Sequence, residues 1–293
     1  MAYGRDTGLI INVGYNETTV YPVVNNLILL KCYESGYGAR HFHEEVENYL
    51  KERGKIRDEN GEIKKLDETD MKNFIEDGLV EDLALISMAT RKDRGLLLRN
   101  WDYEHAEEHF QFAPDVEIQL RSKTLIVSGF LREALAECFF ISEKESDSPS
   151  IQELIYRSLK NCPVDYRKQL ANSLIITGGT RRMKGFVGRL RRELRDLFAT
   201  QDGGLMKHLC DEIKFPTTPQ DVGIEKYDAW LGATLYADSE DYPIYDKTAY
   251  QDGEKIPDWT SMIDNYKVPI SMDKIVHEEE RKLLINFNEL KAQ

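Results

Sequence analysis

With 293 residues, 41% of them hydrophobic, and a formal charge of −13, the chain is long enough for one large core or two smaller ones. Its acidity argues against general affinity for nucleic acid or anionic membrane. It has no apolar run long enough to cross a bilayer, and MAYGRDTGLIINVG lacks the basic, apolar and small-residue regions of a secretory leader.

The N-terminal pattern predicts three consecutive strands, Gly8 to Gly14, Thr18 to Val24 and Leu27 to Tyr33, joined by turns at Tyr15-Asn16 and Asn25-Asn26. A Gly-Tyr-Gly turn then opens a helix from Ala39 to Glu52, with Phe42 and Val46 at helical spacing. Residues Lys51 to Asp70 are densely charged and aperiodic, which predicts a mobile surface excursion. Helical pattern resumes from Glu68 to Thr90, broken near Gly78. Strands are expected at Leu96 to Trp101 and Val116 to Leu120, then a helix from Lys123 to Phe140. The run Glu143 to Ser150 reads as a solvated linker, and helices are expected at Gly223 to Ala237 and Met272 to Leu290. The four cysteines, Cys32, Cys138, Cys162 and Cys210, form no CxxC pair, which points to reduced thiols in the cytosol. Alternating strand and helix runs argue for an α/β protein.

Cys162 to Leu194 carries the strongest signal. It reads as a short helix, an apolar strand (Leu174, Ile175, Ile176), a turn at Gly178, Gly179 and Thr180, and a long helix. A strand feeding a double glycine and a helix N-terminus suits an anion, because glycine admits close approach and the helix end offers free N–H groups. Arg181, Arg182, Lys184, Arg189, Arg191, Arg192 and Arg195 add positive charge to this turn and helix. They suit an acidic partner or a phosphate, or else form a solvated helix face. Elsewhere the HAEEH run, with His105 and His109, lacks the glutamate beside the first histidine that a zincin needs, so no metal site is expected. His41 and His43 read as surface histidines. No nucleophilic triad stands out, and none of these patterns predicts a catalytic residue.

The run CPVDYRKQLANSLIITGGT resembles the adenosine-side segment of actin and its relatives. LIINVGYNETTVYPV is similar to the second phosphate hairpin of that superfamily, GYGARHFHEEVENYL to the turn and helix after it, and YDAWLGATLYA to its tryptophan-containing C-terminal helix. The resemblance implies an actin-like (ribonuclease H-like) fold. On it, the chain corresponds to the second half plus the C-terminal segment, without the first phosphate hairpin subdomain. It divides the chain into 1–37, the first strands; 38–122, an inserted subdomain; 123–238, the remainder with the adenosine-side motif; and 239–293, the C-terminal segment.

The resemblance also places a degenerate nucleotide site at Asn12, Gly14, Gly178, Gly179 and Thr180. Asn12 stands where actin-like ATPases carry an aspartate that organises hydrated Mg²⁺, and asparagine lacks that charge. Tyr15 and Asn16 replace Asp-Gly, while Ala84 and Leu85 replace the lysine and glutamate that meet adenosine. ATP or ADP held without turnover, in a full-length relative, is what this pattern allows. LKNCPVDYRKQLANSLIITGGT, WLGA and GEKIPDW together resemble the actin-related proteins of the dynactin pointed end. That implies a cytoplasmic, cytoskeletal scaffold contacting pointed-end subunits and the actin-related filament, with neither nucleic acid nor direct membrane contact. Arg181, Arg182 and Trp259 are then candidate contact residues. Two alternatives remain open: an ATP-binding enzyme of the actin, sugar-kinase and chaperone superfamily, or an actin-related subunit of a chromatin-remodelling complex.

Overall fold

The computed structural model describes residues 2–100, 111–141, 149–216, 227–238 and 245–255. The first of two sheets grows from the antiparallel hairpin of β1 (Gly8–Val13) and β2 (Glu17–Val24), with Asn12 opposite Thr19. Period-two alternation buries Leu9, Ile11 and Val13 on one face of β1. Asn25 and Asn26, both at positive φ, turn the chain into β3 (Leu27–Ile28). A short 3-10 turn, Leu30–Cys32, leads to β4 (Glu34–Tyr37), which pairs with the start of β2.

Helix α1 (Ala39–Arg53) carries the chain to a second, antiparallel sheet. Its strands are β5 (Lys55–Arg57), β6 (Ile63–Lys65), β7 (Val116–Leu120) and β8 (Lys123–Val127), in the order β6-β5-β8-β7. Between β6 and β7 lie α2 (Glu68–Glu76), α3 (Leu79–Ile86) and α4 (Lys92–Asn100). Helix α5 (Gly129–Ala134) and a 3-10 segment, Leu135–Phe140, bring the chain back.

Helix α6 (Ile151–Asn161) starts at a capping box, Ser150 with Glu153, and buries Ile151, Leu154, Ile155 and Leu159 against β2, β4 and a later helix. Helix α7 (Val164–Ala171) then feeds β9 (Leu174–Thr177), which runs parallel to β1 and completes the order β3-β2-β1-β9. The later helix is α8 (Phe186–Thr200), with Phe186, Leu190, Leu194 and Phe198 buried four residues apart. Helices α9 (Asp228–Ala237) and α10 (Lys247–Gln251) follow. One contiguous apolar core joins both sheets. Helix α9 is apolar along most of its length, yet Trp230 is 68% exposed. Among the described residues, no helix is long and apolar enough to cross a membrane.

Four expectations change. Only Leu27–Ile28 of the third expected strand pairs with β2, because the chain turns at Leu30–Cys32 before pairing again as β4. The charged stretch Lys51 to Asp70 holds the end of α1 and an ordered hairpin, not an unstructured excursion. Its strand β6 is wholly exposed, so no alternation marks it, and the Asp58 carboxylate organises the turn by accepting from the amides of Asn60 and Glu62. Leu96 to Asn100 belongs to helix α4, where only Leu98 of the three leucines is buried; Trp101 lies outside the described residues. Lys123 to Val127 is a strand, entered through a two-residue turn at Arg121-Ser122 in which Arg121 takes φ +55° without the usual glycine or asparagine signal. The break at Gly78 is present, at φ +69°.

The basic run on α8 also needs correction. Arg189 faces inward with its side chain 2% exposed, making paired bonds of 2.5 and 2.9 Å to Glu137, one of 2.8 Å to Glu193 and one of 3.0 Å to the Thr90 carbonyl. Phe140 lies under its guanidinium at 4.8 Å. Lys92 pairs with the other oxygen of Glu193 at 3.1 Å, so two cations meet two carboxylates where α4, α8 and the 3-10 segment converge. Burial opposes this charge on Arg189, but the two carboxylates outweigh it and hold its pKa above the ordinary guanidinium range.

Candidate functional site: the glycine edge of the parallel pair

Strands β1 and β9 end level, Asn12 beside Thr177, so the turns that follow them lie side by side. In open α/β sheets this carboxyl edge is where ligands bind. Gly178 has φ +100°, and a Cβ there would stand 2.3 Å from the Val13 carbonyl oxygen. Both facts require glycine. A Cβ on Gly179 would meet no atom within 4 Å, so the backbone is open on that side.

Gly179–Arg182 forms a 3-10 turn with Thr180 buried in it, and α8 begins only at Phe186. The glycine pair therefore does not open directly onto the long helix, as the sequence pattern suggested. Gly185, at φ +81°, sits between them with the Ala89 carbonyl where a side chain would be.

The hairpin side is tied to itself and to α1. Gly14 donates its amide to the Glu17 carbonyl at 3.1 Å. The first amides of α1, from Ala39 and Arg40, donate to the carbonyls of Gly14 and Tyr15 at 2.8 Å each. Gly38 allows this approach, since a Cβ there would lie 2.5 Å from the Tyr15 carbonyl and the Glu17 amide. The Gly14 amide and the first amides of α1 thus tie this loop to itself and to the helix. Tyr15 is exposed and rests edge-on against His43, ring centres 5.0 Å apart. Burial lowers the pKa of His43, which favours a neutral imidazole at this edge.

Asn12 is half-buried on the face it shares with Ile10. On α3, Ala84 is half-buried and Leu85 exposed, and the segment after this helix reaches the glycine turn through pairing of Met88 with Lys184. Among the described residues, no group of three or more His, Cys, Asp or Glu side chains could hold a metal ion. An asparagine and an aliphatic pair lack the charge that a magnesium nucleotide needs.

The basic candidates separate. Arg182 is exposed. Arg181 points inward, donating to Tyr3 Oη at 2.6 Å and the Ile176 carbonyl at 3.2 Å, with Asp228 at 3.7 Å. Tyr3 donates to Asp228 at 2.6 Å, so this trio binds the first residues and α9 to the turn. Arg181 is therefore part of the internal framework, not an exposed contact residue. Nothing in its position along the chain marks this, because its partners lie 178 and 225 − 178 = 47 residues away. Arg191 lies over Phe215 at 5.4 Å. Trp259, His105, His109 and the expected helix Met272 to Leu290 lie outside the described residues.

A parallel pair ending in two adjoining glycine turns, with a second sheet inserted after the hairpin, defines an α/β protein of actin-like fold. The chain belongs to the actin family, whose model, described as Actin, matches residues 1–245. It is similar to actin-related protein 10 of Dictyostelium discoideum, 21% identical over 89% of this chain and 61% of the relative. It is also similar to actin-related protein 3 of Drosophila melanogaster, 26% identical over 42% of this chain and 31% of the relative. Actin-related protein 4 of Candida glabrata is 32% identical over 31% of this chain and 16% of its own length. The chain thus spans at most about three-fifths of the length of these curated relatives.

Proposed function

We propose that this chain is a non-catalytic actin-related scaffold subunit of dynactin, acting in the cytoplasm at the pointed end of the actin-related filament and supporting dynein-driven microtubule transport. Its partners are the pointed-end subunits and the filament protein, with neither nucleic acid nor direct membrane contact. The match with actin-related protein 10 over 89% of the chain supports this branch of the family. The observation that carries the non-catalytic reading is the self-closed hairpin loop, whose Gly14 amide and the adjoining amides of Ala39 and Arg40 are bonded internally beside Asn12. Function then resides in surfaces. Leu27, at 59% exposure, and Val164, at 68%, present apolar side chains from segments joined by the 3.0 Å bond from Asn161 to Glu34. Arg182 adds an exposed cation.

The test is affinity purification of the tagged chain from cells, with mass spectrometry of what accompanies it. Pointed-end and filament subunits at near-equal amounts support the proposal. Recovery of a chromatin-remodelling complex instead, or steady Mg·ATP turnover by the purified chain, overturns it.

A further inference from the structure

Two of the four thiols are buried at one junction, where the turn after β3 meets the end of α6. Cys32 ends the 3-10 turn after β3 and is 6% exposed; Cys162 caps the C-terminus of α6 and is 1% exposed. Cys32 Sγ donates at 3.3 Å to the carbonyl of Asn161, the residue before Cys162, and Ser158 Oγ on α6 donates to the Cys32 carbonyl at 2.7 Å, so the Cys32 thiol lies against the end of α6 that Cys162 caps. The pair therefore joins segments 130 residues apart in the chain (162 − 32 = 130) at one point.

We propose that Cys32 and Cys162 are a redox pair that closes to an intramolecular disulfide when the chain meets a hydroperoxide. One thiolate attacks the O–O bond. An S–O bond forms, the O–O bond breaks, and the alcohol, or water in the case of hydrogen peroxide, departs. The second sulfur then attacks the sulfenic sulfur; an S–S bond forms, the S–O bond breaks, and water leaves with the remaining thiol proton. Two thiols are oxidised and one peroxide is reduced, so the balance closes.

Burial disfavours either thiolate and pushes both pKa values up. The groups facing the pair act unequally: Arg167, which donates to the Cys162 carbonyl at 2.9 Å, favours a thiolate at both sulfurs, Lys31 favours one at Cys32, and Glu34 opposes it. First attack therefore needs local opening of Leu30–Cys32, a turn of three residues. Once one sulfur is oxidised, its neighbour is already placed to resolve it. Slow closure is what this burial implies. It would tether the segment bearing Leu27 to the segment bearing Val164.

The test equilibrates the full chain with hydrogen peroxide, then blocks remaining thiols under denaturing conditions and maps the peptides. A parallel sample, first oxidised, is returned through a dithiol reductant to show that the bond is reversible. We expect a Cys32–Cys162 cross-linked peptide as the main disulfide, a higher melting temperature after oxidation, and loss of both in Cys32→Ser. A Cys138→Ser/Cys210→Ser double variant keeps the cross-link and stays informative if Cys32→Ser folds poorly. Cys32 and Cys162 recovered as blocked thiols while Cys138 and Cys210 are oxidised would overturn the proposal. So would a cross-link that forms only in chain unfolded before oxidation.

Discussion

The two turns at the glycine edge were shaped by different constraints. After β9, the Gly178 turn is dictated by sterics: positive φ and a carbonyl oxygen where a side chain would begin. After β1, the turn's glycine donates its amide to the Glu17 carbonyl, and the carbonyls of Gly14 and Tyr15 receive the first amides of α1. The fold needs the first turn in order to pass strand into helix, whether or not a ligand ever sits there. The second turn matters to a ligand through its donors and its side-chain charge, and here the Gly14 amide goes to Glu17 while Asn12 carries no charge. Shape at this edge is therefore poor evidence for nucleotide chemistry; the destination of each N–H is better evidence.

This contrast breaks first at the support beneath the β9 turn. Arg189→Met removes the buried guanidinium that Glu137 and Glu193 share, leaving Lys92 on Glu193, and removing one partner from such a cluster costs about 3–5 kcal/mol. Arg192→Ala, at an exposed position on the same helix, should change stability by less than about 0.5 kcal/mol. Urea denaturation of the pair measures both. A small loss for Arg189→Met would mean that the triad is not what fixes this junction.

The glycines come next. Gly178→Ala forces a Cβ against the Val13 carbonyl at positive φ and should cost about 2–4 kcal/mol. Gly179→Ala meets open space and should lie within about 1 kcal/mol of wild type. Equal losses at both positions would show that the steric asymmetry is absent in solution.

How much of this was legible beforehand follows from where the information sits. The strand pattern of β1 and β2 and the run from Cys162 to Thr180 are local, carried by alternation and by a glycine pair, and they placed the edge correctly. The interior role of Arg189 is not local. A run of arginines reads as a charged surface until Glu137, 52 residues earlier, is seen to face it. The β7–β8 turn was missed for a related reason, since Arg121 accepts a left-handed backbone that its residue type does not announce. The spending of the hairpin amides is invisible in sequence, because every residue carries the same N–H.

A smaller effect probes the link from Arg181 to the first residues. Tyr3→Phe removes the donor to Asp228 and the acceptor for Arg181, and should cost about 1–2 kcal/mol at neutral pH. Burial is the largest cause holding the Tyr3 hydroxyl above its usual range, followed by the hydrogen bond to Asp228. A folded-state pKa raised above the unfolded value means that the native chain keeps the proton longer. That contribution is complete below about pH 10 and declines as pH rises beyond it. The stability gap between wild type and Tyr3→Phe should therefore be flat from neutral pH to about 9 and shrink above 10, in denaturation curves taken across that range. A gap that widens with alkalinity would contradict the assigned hydrogen bond.

The smallest expected effect is the most direct test of the hairpin's lost chemistry. Asn12→Asp introduces a carboxylate at the end of β1, yet it leaves the amides of Gly14, Ala39 and Arg40 bonded as before and Ala84 and Leu85 unchanged. A single acid cannot hold hydrated Mg²⁺ and triphosphate without those donors. A ligand bound only to the native state stabilises it by RT ln(1 + [L]/Kd), about 0.4 kcal/mol when its concentration equals Kd. Both wild type and Asn12→Asp should gain less than about 0.4 kcal/mol from millimolar Mg·ATP, measured as thermal shifts calibrated against urea denaturation. A clear gain by the variant alone would locate the defect in the missing charge and show that the loop's amides can be released. A clear gain by wild type would mean that the β1 turn admits a phosphate as it stands, and would overturn the reading of this edge as shape without nucleotide chemistry.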